Sequence, residues 1–140
     1  MCRHQPAAAT AALSDADTKG VVRRLIADVM NGGRLEAIDE LYRPSPAQGA
    51  RRWITPFRRA FPDVHMEIVE LIAEGQKVVG RFRCSGTYLG PWNGRPPTGR
   101  RFENVDEVYI FRIADGRIAE AWGLEDTLSR LRQLDLLPQR

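Results

Sequence analysis

Residues 61–74 read FPDVHMEIVELIAE, and the period of the chain changes inside them. Before Pro62 the apolar residues Trp53, Ile54, Phe57, Ala60 and Phe61 recur at helical spacing. After Asp63, Val64, Met66, Ile68 and Ile72 alternate with His65, Glu67 and Glu70, the two-residue period of a strand with one buried face. A chain that is helical up to this point and stranded beyond it is an α+β domain, not a βαβ repeat.

Working back toward the start, Ser14 with Asp17 is a capping-box opening, with Asp in the place of Glu. Val21, Val22, Leu25, Ile26, Val29 and Met30 give one helical face, and Asn31-Gly32-Gly33 stops it. Leu35, Ile38, Leu41 and Tyr42 predict a short second helix that Pro44 and Pro46 end. Pro56 must start or kink the third helix, because an interior proline costs about 3 kcal/mol. Working forward, strands are predicted at 78–88, 102–113 and 117–124, with turns at Gly75-Gln76 and Asp115-Gly116. The stretch 89–99 is a loop by its Gly and Pro content, and Leu128, Leu131 and Leu134 mark a closing helix. The expected architecture is three N-terminal helices packed on a curved antiparallel sheet, leaving an internal cavity on the concave side. Residues 14–137 form the domain and 1–13 a flexible tail.

The 140 residues fit one domain. A net charge of +3 with scattered arginines gives no nucleic-acid footprint. The two cysteines, Cys2 and Cys84, are too far apart in character to suggest a disulfide framework or a metal cluster, so no metal or cofactor is expected and a cytoplasmic setting is. No apolar run approaches the roughly 20 residues that span a bilayer, so no membrane partner is expected.

Phe61-Pro62-Asp63, Ser85-Gly86-Thr87-Tyr88 with Gly90, the run 96–101 (PPTGRR), the run 111–118 (FRIADGRI), and Trp122 with Asp126 ahead of 131–134 (LRQL) together resemble the SnoaL-like polyketide cyclases. The resemblance implies the nuclear-transport-factor-2-like cone, a homodimer, and ring closure of a polyketide-like small molecule in secondary metabolism, including antibiotic biosynthesis. Epoxide opening or a non-catalytic binding role are the alternatives on the same fold. The resemblance also implies an aspartate base with histidines beside it. At those positions this chain carries Ala121, Gly123, Tyr88 and Tyr109.

Strand alternation sorts the candidate residues. Val105, Glu107, Tyr109, Phe111 and Ile113 share one face of the third strand, and its aromatic character points it toward the cavity. Glu107 has two readings: a buried carboxylate with a raised pKa suited to proton transfer, or the partner of an arginine such as Arg81 or Arg117. Tyr88 and Tyr109 can donate hydrogen bonds to a substrate oxygen, or can be core residues. Asp126 either reaches the cavity mouth or caps the last helix. Phe82, Phe111, Ala121 and Gly123 are expected to line the cavity and Trp92 to cover it. Ile118 and Trp122 are expected on the outer face, as the dimer contact. With no histidine at the cavity, the isomerase- or lyase-type reaction rests on holding a reactive conformation, a pericyclic closure among the options, and its rate is expected to be nearly flat from about pH 6 to 8.

Overall fold

The computed structural model describes residues 13–138. The Ser14 hydroxyl accepts the Asp17 N–H and the Asp17 carboxylate accepts the Ser14 N–H, which closes the capping box. Helix α1 (Asp15–Arg24) then widens into a π-helical turn, Leu25–Asn31, all four of whose large apolar residues are buried. Gly33, at a φ of 72°, turns the chain out of it. A 3₁₀ turn (Leu35–Ala37) leads into the one-turn helix α2 (Ile38–Leu41).

Helix α3 runs Pro44–Ala60, so Pro44 and Pro46 begin it instead of ending α2. Proline is suited to that place because the first N–H groups of a helix have no intrahelical partner. Pro56 lies inside α3 without ending it. It is on the exposed side, where the carbonyl it leaves unbonded can meet water.

Strands β1 (His65–Glu74), β2 (Lys77–Thr87), β3 (Arg101–Ala114) and β4 (Arg117–Glu125) follow as an antiparallel meander in the order β1-β2-β3-β4. The closing helix α4 is Thr127–Gln133. The helices cover one face of the sheet, and the core lies between: Val22, Ile38, Ile54, Phe61, Phe82 and Phe102 have no or almost no exposed surface. This is the α+β architecture expected from the period change at residues 61–74, in the cone form that the resemblance implies.

A bulge corrects the expected outer face. The β3–β4 register shifts between Arg112 and Ile113, so Ile118 pairs with Ile113 while Glu120 pairs with Arg112. The extra residue reverses the alternation, and Ile118 is fully buried in the core instead of lying beside Trp122. The outer face carries instead a cross-strand row, Ile72, Val79, Ile110 and Trp122, with Val108 opposite Leu124 next to it. Ile72, Trp122 and Leu124 are 58%, 57% and 65% exposed.

Candidate functional site

The inner face of the sheet is built in cross-strand rows. One row is Gly80, Tyr109 and Gly123; the next toward the β3 C-terminus is Val78, Phe111 and Ala121. Glycines on both sides of Tyr109 let rings lie flat on the strands. A Cβ at Gly123 would sit 2.2 Å from the Tyr109 ring, and one at Gly80 would sit 2.3 Å from the ring of Phe82. Trp53 of α3 lies over Tyr109 from the helical side, nearly parallel, with ring centres 6.3 Å apart.

Between the two layers is a cavity of about 130 Å³. Its sheet wall is Tyr109, Phe111, Ala121 and Gly123; its helical wall comes from the π-helical turn (Leu25, Ile26, Met30), Tyr42 and Trp53, and Met66 of β1 joins them. A π-helical turn displaces side chains from the regular spiral and recurs at functional sites. No charged side chain lines the cavity. It is open beside β4, where Ala121 and Gly123 are exposed because no further strand pairs with this edge there, and where Trp53 is 39% exposed.

The neighbouring row, Phe82, Glu107 and Glu125, is of a different kind. Glu107 is 3% exposed and its Oε2 lies 2.6 Å from Nη2 of Arg130. Arg130 Nη1 lies 3.0 Å from Glu125, and the guanidinium is held between the rings of Phe57 and Phe102, 5.2 and 4.9 Å from their centres. Two carboxylates thus share one buried cation. Loss of hydration and the nearby Glu125 charge push the Glu107 carboxyl up, Arg130 pulls it down, and the balance leaves it at about 8. Glu107 does not line the cavity; Tyr109, two residues along β3, stands at the boundary. Burial raises the Tyr109 pKa, and Glu107 and Glu125 raise it further, so the phenol stays neutral.

The arrangement separates the residues expected at the site. Tyr109, Phe111, Ala121 and Gly123 line the cavity. Glu107 pairs with Arg130 of α4; Arg81 and Arg117 are exposed on the outside, and Arg81 faces Asp106 at 3.6 Å. Tyr88 is fully buried outside the cavity, and its hydroxyl donates to the Arg95 carbonyl at 2.9 Å, so it has no proton left for a substrate. Trp92 is half-buried, packs edge-on against Phe57, Phe61 and Tyr88 and pins the loop through a bridge to Arg95; it does not line the cavity. Phe82 is buried against Tyr109, one layer behind the cavity. Asp126 caps α4 by accepting the Ser129 N–H at 3.0 Å. That cap fixes the first turn of the helix that delivers Arg130. The tail expected at 1–13 lies outside the described residues apart from Leu13.

Three residues of this region were not singled out by the sequence. Tyr42 and Trp53 were visible only as members of apolar helix faces, and Arg130 as one of many surface-type arginines.

The family model described as SnoaL-like polyketide cyclase matches residues 20–134. The chain is 31% identical over 118 residues to the aklanonic acid methyl ester cyclase DnrD of Streptomyces peucetius, a match spanning 84% of this chain and 79% of that protein. It is 30% identical over 118 residues to the aklanonic acid methyl ester cyclase DauD of Streptomyces sp. strain C5, spanning 84% and 71%. Among solved structures, TsrD from Streptomyces laurentii superposes with a TM-score of 0.78 at 32% identity, covering 89% of this chain and 99% of that one. The chain belongs to the SnoaL-like polyketide cyclase family and has polyketide cyclase homologues on the same fold. No helix among the described residues is long and apolar enough to cross a membrane.

Proposed function

We propose that this member of the family closes a ring in an uncharged, flat polyketide, one ring of which enters the cavity while the rest lies along the mouth beside Trp53 and β4. The observation that carries this reading is a cavity walled by apolar and aromatic groups, with no charge, and with the neutral phenol of Tyr109 in its lining. Its size supports entry of a single ring, since an apolar void of about 150 Å³ holds a benzene-sized molecule. A carboxylate on the entering ring would be left without a counter-charge, so an ester or ketone is favoured over a free acid.

The lining side chains include no carboxylate and no histidine. The protein therefore contributes by holding the chain folded for closure and by polarising a carbonyl through the Tyr109 hydroxyl, which donates without giving up its proton. A pericyclic or otherwise base-free closure fits that equipment.

Aklanonic acid methyl ester, for which two relatives are named, is the compound to offer first. Purified protein is expected to convert it or a close analogue, and Tyr109→Phe to lower kcat about tenfold with KM little changed. Binding without conversion across a panel of polyketide esters would instead make this a carrier.

The exposed row through Trp122 and Leu124 is proposed to be covered by the same face of a second copy, giving a homodimer. Sedimentation should give twice the monomer mass, and Trp122→Glu the monomer; a monomeric wild type sinks the idea. A cytoplasmic setting and a role in secondary metabolism go with the free Cys84 thiol and the relatives' names.

A further inference from the structure

The chain has three tyrosines, and their hydroxyls differ in state. Tyr88 is closed off by the Arg95 carbonyl. Tyr109 and Tyr42 both line the cavity, and neither hydroxyl has a hydrogen-bond partner among the described residues. Tyr42 is the more unusual of the two, because it is 97% buried, with a relative exposure of 3%. The hydroxyl itself is not among the fully buried unpaired polar atoms of the described residues, so a ring this deep still carries an oxygen that reaches accessible space, and the space that Tyr42 borders is the cavity.

The backbone holds Tyr42 from two sides. Its N–H donates to the Ile38 carbonyl, closing α2, and the next N–H, of Arg43, donates to the Ile118 carbonyl of β4 at 2.9 Å. Tyr42 and Ile118 form a parallel bridge, so the residue joins the helical layer to the edge strand that carries Ala121 and Gly123. These contacts fix the main chain from which the ring reaches the cavity. Tyr109 comes from the sheet wall and Tyr42 from the helical wall of one cavity. Burial raises the Tyr42 pKa, so it too remains a neutral donor.

We propose that the Tyr42 hydroxyl is a second substrate-binding donor, which with Tyr109 holds a carbonyl oxygen of the bound ring between the two walls of the cavity. It rests on the reading of the cavity as a ligand site, though not on which reaction occurs there. Tyr42 acts only as a hydrogen-bond donor, and no proton is transferred.

The test compares two probes of nearly equal shape, acetophenone and α-methylstyrene, which differ by an oxygen in place of a methylene. Their dissociation constants are measured on wild type, Tyr42→Phe and Tyr109→Phe by calorimetry. The ketone-to-alkene affinity ratio is expected to fall about fivefold in Tyr42→Phe, with the alkene's own constant unchanged, as for loss of one neutral hydrogen bond. Binding of both probes with the same ratio in wild type and Tyr42→Phe overturns the assignment of Tyr42 and leaves the cavity standing as a ligand site. Failure of wild type to bind either probe overturns the cavity itself. Should Tyr42→Phe not fold, the ¹³C carbonyl resonance of labelled acetophenone bound to Tyr109→Phe decides. A downfield, hydrogen-bonded shift supports Tyr42, the one phenol then left in the cavity, and a shift equal to that in hydrocarbon overturns it.

Discussion

Two rows of the same sheet face, two residues apart along β3, treat their polar groups in opposite ways. In the row of Glu107 and Glu125, both carboxyl groups are bound by Arg130, and its guanidinium lies between two aromatic rings. In the row of Tyr109 the flanking residues are glycines, the neighbours are apolar, and the phenol is left without a partner. The first row ties α4 to the sheet through Arg130, whose Nη atoms are engaged by the two carboxyl groups while its Nε is buried without a partner among the described residues. The second has a hydroxyl with no protein partner among the described residues, on a cavity where a ligand can engage it. Engagement of polar groups, more than residue type, divides architecture from candidate site here: a carboxylate, the more reactive group, falls on the structural side and a phenol on the other.

The strongest way to break the comparison is to remove the cation from the first row. Arg130→Met leaves Glu107 buried without its partner and empties the slot between Phe57 and Phe102. We expect a loss of about 3 kcal/mol, the lower end for breaking a buried pair because Glu107 already keeps its proton up to about pH 8. For a domain of this size that lowers Tm by roughly 10 °C. Adding Glu107→Leu should recover most of it, since a well-packed apolar pair is close to neutral against a buried ion pair. A thermal melt of Arg130→Met within 2 or so degrees of wild type, on the same scale, would mean the row is not structural.

A smaller effect is expected from the open row. In Gly123→Ala the new methyl meets the Tyr109 ring, which must tilt away from β4 toward Trp53 and into the cavity. Affinity for acetophenone should drop about tenfold, the scale of 1.4 kcal/mol, while Tm moves by only a few degrees. The reverse pattern, an unchanged affinity with a large drop in Tm, would turn Gly123 into a packing residue and Tyr109 into part of the closed core.

The sequence was informative wherever the information is local. The change of period at 61–74, the capping box at Ser14 and the Asp115-Gly116 turn each depend on residues within a few positions, and the fold followed from them. Membership of Tyr109, Phe111, Ala121 and Gly123 in one inner surface followed from alternation alone. What alternation could not carry was the bulge at Arg112–Ile113, which put Ile118 inside. Nor could local pattern pair Glu107 with an arginine 23 residues away on a helix, or tell that Tyr88 is hydrogen-bonded while Tyr42 is not. These are facts about where chain segments meet, and the signals in the sequence were the same for each tyrosine.

The finest distinction between the rows is made by pH, because they touch at Tyr109. Glu107 has an ordinary value of 4.5 and stands at about 8 in the fold. The folded chain therefore keeps a proton that the unfolded chain releases between those values. Its contribution to stability is complete below about 4.5, declines as pH rises, and is lost once pH passes about 8. Tm should fall from pH 5 to 9, and Glu107→Gln, which is neutral throughout, should remove that part of the fall. The same ionisation reaches the open row. A charge formed on Glu107 raises the pKa of Tyr109 and makes its hydroxyl a weaker donor. The absence of a cavity histidine alone would give a flat rate between pH 6 and 8, whereas this coupling adds a gentle decline that steepens toward 8 and disappears in Glu107→Gln. If Arg130 instead keeps Glu107 ionised throughout, both the Tm and the rate profiles of wild type will be flat from pH 5 to 9, and the two rows will be independent. A decline in rate that survives in Glu107→Gln would assign it to a group outside either row.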